Sequence, residues 1–195
     1  MRSARLLAVA GLSAVLAFAG AAAQERIAGD FDLEETVKVC AACHGGDGVP
    51  VEADIPVLWG QQFYYLYVQM KDYKAGRRGN EIMQPMVAGF SRDQMKALAA
   101  YFADRAWPDI AIEKDAGKAS RGRSQTTAGQ CAQCHNRYLG DSRVPRVAGQ
   151  QEPYLLRTML EFKRKVRLNS PAKGALLKSF EDTSIEELAH FLATL

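Results

Sequence analysis

The pentapeptide Cys-x-x-Cys-His occurs twice, as Cys40-Ala41-Ala42-Cys43-His44 and Cys131-Ala132-Gln133-Cys134-His135, with starting positions 91 residues apart. The two runs use all four cysteines and two of the three histidines. Covalent haem attachment needs this set at this spacing: two thiols add to the porphyrin vinyl groups and the next side chain puts an imidazole on the iron. A zinc site built from two knuckles, or a pair of redox dithiols, would also use paired cysteines. A zinc ribbon, however, brings its second knuckle back within about 15–20 residues, and neither alternative calls for a histidine directly after each pair.

The N-terminus bears on where such chemistry occurs. Arg2 and Arg5 precede an apolar run from Leu6 to about Ala19, followed by Ala21-Ala22-Ala23, the pattern of a secretory signal peptide over residues 1–23. The run is short and alanine-rich for an anchor that must supply about 20 spanning residues. Covalent haem attachment in bacteria is completed outside the cytoplasm, so the expected location is the periplasm. Cleavage after Ala23 leaves 172 residues, enough for two small domains each organised by a cofactor.

An internal repeat supports that division. Pro56-Val57-Leu58-Trp59-Gly60-Gln61-Gln62 is answered by Pro145-Arg146-Val147-Ala148-Gly149-Gln150-Gln151, and Tyr65–Lys71 by Tyr154–Leu160, both with apolar positions three and four apart. Each half closes with an amphipathic helix, Ser91 to Asp104 and Asp182 to Thr194. Asp30 or Asp32 can cap a helix into Cys40, Ser91 precedes Gln94 in a capping-box arrangement, and Asp182 or Thr183 can open the last helix. No sheet is needed, so the fold class is all-α. The boundaries read as 24–107 for the first domain, 108–123 for a connector containing Pro108, Gly117 and Gly122, and 124–195 for the second.

A haem iron held by one imidazole has a sixth position. In the first half Met83 and Met86 compete for it, on a proline-containing loop ahead of the final helix, whereas Met70 and Met95 read as core fillers. Aligning Leu98-Ala99-Ala100-Tyr101-Phe102 with Leu188-Ala189-His190-Phe191-Leu192 gives an offset of 90 that puts Lys173 opposite Met83. A neutral amine can ligate iron, and burial favours that form. The alternatives are an open site, water, Lys178 or His190, the last reading as a helix-surface histidine.

Over nearly all of the mature chain these motifs resemble cytochrome c4, the bacterial dihaem class I cytochromes. The resemblance implies two tandem class I cytochrome c domains related by pseudo-twofold symmetry, with two covalently bound haems c on Cys40, Cys43, Cys131 and Cys134. His44 and His135 would be iron ligands, Met83 would be preferred over Met86, and Pro56 and Pro145 would offer carbonyls to the distal nitrogens of those histidines. It implies an electron carrier rather than an enzyme, exchanging single electrons between a dehydrogenase or flavoprotein subunit and a terminal oxidase or reaction centre, and it leaves peripheral association with a membrane surface open. Lys173 departs from the family's twin His/Met pattern. The alternative function is a dihaem enzyme, or enzyme subunit, acting on a small inorganic sulfur or oxygen species at the C-terminal haem.

Charge is unevenly shared. Gln24 to Trp107 sums to −3 and Pro108 to Leu195 to +4, an asymmetry that can orient transient docking. The basic runs Arg77-Arg78 and Lys163-Arg164-Lys165-Val166-Arg167 read as helix-end solvation or an anionic protein partner, not as a nucleic-acid site.

Overall fold

Capping and first-turn charge mark where several of the helices begin. The computed structural model describes residues 31–195, with nine helices and, among those residues, no strand beyond an isolated bridge between Asp141 and Val144. The expected signal peptide lies outside the described residues. Both Cys-x-x-Cys-His motifs lie in one compact unit, Leu33–Leu195.

The first lobe comprises α1 (Leu33–His44), α2 (Phe63–Lys74), α3 (Met83–Ala88) and α4 (Arg92–Ala103). Glu34 and Glu35 complement the N-terminal dipole of α1. Ser91 opens α4 with a full capping box: Gln94 N donates to Ser91 Oγ at 3.2 Å, and Ser91 N donates to Gln94 Oε1 at 2.7 Å. The second lobe comprises α5 (Ala116–Ala128), α6 (Cys131–Cys134), α7 (Glu152–Lys163), α8 (Pro171–Leu177) and α9 (Asp182–Ala193). Packing repeats between lobes: α4 lies on α1 and α2 while α3 lies on α2; α9 lies on α5 and α7 while α8 lies on α7. Core positions recur too, with Met95, Leu98, Ala99 and Phe102 matched by Ile185, Leu188, Ala189 and Leu192, all buried. Burying a leucine or isoleucine this completely contributes about 1.5–3 kcal/mol.

Several expectations change. The connector ends early, since α5 starts at Ala116, capped by Asp115, whose side chain accepts from Lys118 N at 2.8 Å. Its glycine allows a close crossing, because a Cβ on Gly122 would stand 2.0 Å from Glu187 O of α9. The cap of α9 is Glu181, which makes no side-chain cap bond, while Asp182 joins Lys163 at 2.6 Å and Arg164 at 2.8 Å and ties the end of α7 to the start of α9. His190 is not at the surface. It is 5% exposed, its Nε2 accepts from Asp115 N at 3.1 Å, and its Nδ1 donates to Glu152 Oε2 at 2.7 Å. Lys118 completes the set with a 2.7 Å bond to Glu152 Oε1.

The lobes meet through buried polar groups. Gln150 Oε1 accepts from Val57 N at 2.8 Å and its Nε2 donates to Val57 O at 3.1 Å; Gln61 does the same to Arg146, at 2.8 and 3.0 Å. Alongside, Gln69 Oε1 accepts from Arg78 Nη1 at 3.0 Å and from Arg167 Nη2 at 2.7 Å, and Arg78 Nη2 donates to Tyr154 Oη at 3.0 Å. Arg78 and Arg167 are thus buried, 6% and 5% exposed, not solvated ends of basic runs.

Gly122→Ala is expected to be net destabilising: the new Cβ would meet backbone, an overpacking cost toward the upper end of about 1–3 kcal/mol, against roughly 1 kcal/mol that alanine adds in helix propensity; urea denaturation followed by circular dichroism measures it. Glu152→Gln weakens the bonds to Lys118 and His190, with an expected loss of about 1–2 kcal/mol at neutral pH. Burial raises the Glu152 carboxyl, but Lys118 and His190 together hold it below the usual carboxylate range. Its contribution is therefore present above the unfolded carboxylate pKa and disappears as pH falls through the lower folded value, so the gap between parent and variant should close in acid.

Candidate haem sites

Each imidazole stands behind its cysteine pair, but the backbone reaches it differently in the two lobes. α1 runs unbroken through Cys40 and Cys43 to His44, which is 8% exposed. In the second lobe α5 ends at Ala128, Gly129 caps it, and Gln130 takes a left-handed φ of 52° before α6 carries Cys131 and Cys134. Between His44 and Pro56 the left-handed residues are Gly45 and Gly48, whereas between His135 and Pro145 they are Asn136, Arg137 and Tyr138, with φ of 46°, 51° and 74°, followed by Gly140 and Ser142. Side chains disfavour that region, so the second attachment loop stores strain.

The imidazoles themselves are held alike. His44 Nδ1 bonds Pro56 O at 2.9 Å and His135 Nδ1 bonds Pro145 O at 2.9 Å. A carbonyl only accepts, so Nδ1 carries the hydrogen and the neutral ring keeps its lone pair on Nε2. Burial lowers both histidine pKa values against the opposing effect of the carbonyl, and the nearby Lys173 charge lowers His135 further. A neutral imidazole with Nε2 unprotonated is the iron-binding form.

The four thiols are free, with Cys43 and Cys134 exposed and Cys40 and Cys131 half-buried. Burial raises Cys40 and Cys131, the reverse of the activation a redox dithiol requires. Among the described residues no three of His, Cys, Asp or Glu gather as metal ligands, so the two motifs do not converge into a zinc centre.

A haem also brings two carboxylates, and the chain offers cations that lack anions. Arg167 Nη1 is buried without a hydrogen-bond partner. Burial alone would raise the Tyr154 hydroxyl, but Arg78 and Arg167 pull it down to about 7, as expected where buried positive charge exceeds negative charge. Lys173, lowered first by burial, is lowered further by the same two arginines. Thiols, neutral imidazoles and unneutralised guanidinium groups together fit a thioether-anchored haem with anionic arms.

The sixth-position candidates occupy matching places. Met83 lies on α3 and Lys173 on α8, both half-buried and both in a short helix where an irregular loop was expected. Asn80 Oδ1 starts α3 by accepting from Ile82 N at 3.1 Å and Met83 N at 2.8 Å. Met86 is 40% exposed on the same helix, and Lys178 is exposed. Burial lowers Lys173 to about 8, aided by Arg167 and Arg78 and opposed by Tyr154 and Cys134; its Nζ lies 5.4 Å from the Phe162 ring centroid. Both ring nitrogens of His190 are engaged in protein bonds, which removes it from the ligand candidates. Sequence reading passed over Arg78, Arg167, Gln61 and Gln150 as site residues, although their recurrence at a spacing of 89 was a usable signal.

No protein-family model matches the chain. Cytochrome c4 of Thiocapsa roseopersicina is 31% identical over 168 residues, covering 79% of this chain and 85% of the relative. A thiosulfate dehydrogenase electron acceptor of Stutzerimonas stutzeri is 29% identical over 201 residues, covering 95% and 93%. The solved structure of reduced recombinant cytochrome c4 from Pseudomonas stutzeri superposes with a TM-score of 0.75 at 26% identity, over 84% of this chain and 98% of that one. By the shared length and the twice-built site, the chain belongs to the cytochrome c4 family.

Proposed function

We propose that this chain is a periplasmic dihaem electron carrier, exported by residues 1–23, with one haem in 24–107 and one in 124–195 and the second lobe beginning structurally at α5. Cytochromes of this family carry two covalently bound haems c and transfer electrons. The observation that carries the reading is the repeated unit of cysteine pair, neutral imidazole and proline carbonyl in two lobes that share a buried seam. Cys40, Cys43, Cys131 and Cys134 hold the porphyrins, His44 and His135 take the proximal positions, and Met83 and Lys173 take the distal ones.

The distal pair makes the sites unequal. A methionine thioether raises a haem potential, whereas a nitrogen donor favours ferric iron and lowers it. Lys173 suits the role because its burial and the neighbouring guanidinium charges shift it toward the neutral amine. Electrons then run downhill from the second lobe to the first. The docking partners are redox proteins, and the relative named as a thiosulfate dehydrogenase electron acceptor makes a dehydrogenase for a sulfur oxyanion the favoured donor. Among the described residues no helix is long and apolar enough to cross a membrane.

A pyridine haemochrome assay is expected to give two covalent haems per chain; fewer would overturn the reading. Lys173→Met is expected to add a second far-red methionine charge-transfer band and to raise the C-terminal potential by on the order of 0.1 V, within the roughly 0.8 V that axial ligation spans. Lys173→Ala should change the spin state or potential of that haem alone. An unchanged spectrum and potential in both variants would remove Lys173 from the coordination sphere.

A further inference from the structure

Val57 and Arg146 each follow the proline whose carbonyl accepts from a haem-site histidine, and both are gripped by a glutamine of the opposite lobe. The peptide joining Pro56 to Val57 uses both of its polar groups. Its carbonyl accepts from His44 Nδ1 at 2.9 Å, and its N–H donates to Gln150 Oε1 at 2.8 Å. The peptide joining Pro145 to Arg146 is used identically, by His135 Nδ1 at 2.9 Å and by Gln61 Oε1 at 2.8 Å. Each amide is clamped from its other end, where Gln150 Nε2 donates to Val57 O at 3.1 Å and Gln61 Nε2 to Arg146 O at 3.0 Å. Gln150 is 2% exposed and Gln61 4%, so water does not compete for these bonds.

We infer that Gln61 and Gln150 are crossed positioning residues, each tuning the histidine ligand of the other lobe's haem through a single shared peptide. The inference rests on His44 and His135 being iron ligands, as proposed above. An acceptor on the peptide N–H polarises the amide and makes its carbonyl a stronger acceptor, since bonds in such chains reinforce one another in a low-dielectric interior. The stronger carbonyl draws the Nδ1 hydrogen, gives the imidazole more anionic character and makes Nε2 a better donor to ferric iron. Removing the glutamine therefore raises the potential of the haem in the opposite lobe. The haem nearer in sequence is spared, because its own proline peptide is held by the other glutamine.

The test uses the mature protein with both haems attached, as Gln150→Met, Gln61→Met and Gln62→Ala. Methionine keeps the volume of glutamine while deleting both amide bonds. Gln62→Ala deletes a different bond between lobes, Gln62 Nε2 to Leu139 O at 3.1 Å, that touches neither proline peptide. A haemochrome count of two in the parent secures the underlying reading, and a lower count sinks that reading whatever the variants do. With two haems present, titrations resolving each haem are expected to show Gln150→Met raising the N-terminal potential, Gln61→Met raising the C-terminal potential, and Gln62→Ala moving neither. Either methionine variant alone decides the matter. A shift confined to the haem of the substituted residue's own lobe, an equal shift from Gln62→Ala, or no shift overturns the inference.

Discussion

The bond from an imidazole Nδ1 to a proline carbonyl is the constraint around which each lobe is arranged. It fixes the tautomer, so the lone pair lies on Nε2, and it orients the ring for as long as the carbonyl is held. For the carbonyl to stay in place, the segment after each haem motif must be pinned. In both lobes that is done by the final helix, whose carbonyls accept from Gly60 N and Gly149 N at 2.9 Å, with Phe102 and Leu192 as the acceptors. Both glycines have a φ of 68°, and the packing of α4 and α9 holds the turns that hold the histidines.

Two lobes built this way could have met through apolar faces, yet the seam is polar. Gln61, Gln150, Gln69, Arg78, Arg167 and Tyr154 are all buried there. Removing such groups from water is costly unless their bonds are made, and nearly all are made within the protein. The exceptions are informative. Thr158 Oγ1, at the place in the second lobe that Gln69 occupies in the first, has no partner, and neither do Arg157 Nε and Arg167 Nη1. Gln69 receives both arginines, which leaves its counterpart with neither, and Arg167 keeps a donor for an anion to accept from.

Much of this was legible along the chain because it depends on local chemistry. The Ser91 to Gln94 box, the stripe of Met95, Leu98, Ala99 and Phe102, and the recurrence of the Gly-Gln-Gln segments all follow from short-range rules, and the helices form where those rules put them. The misread features depend on tertiary partners. α5 is rich in small and polar residues and resembles a connector until Gly122 is seen against α9. His190 lies on a strongly amphipathic helix and looks solvated until Glu152 and Asp115 close over it. α3 is too short for periodicity to register, and its proline falls in the first turn, where a missing N–H costs nothing. Arg78 and Arg167 follow basic neighbours in sequence but are claimed by the opposite lobe.

Val57 and Arg146 occupy equivalent positions with side chains as unlike as any two residues offer, and the same pair of bonds forms at each. Because each glutamine grips main chain and never a side chain, duplicated halves could diverge at the gripped position without loosening their grip on one another. Arg146 has used that freedom to lie 4.3 Å over Trp107, at the end of the first lobe, while Val57 stays in the core at 1% exposure. An interface written in backbone amides lets a gene duplication specialise its two copies while keeping them joined.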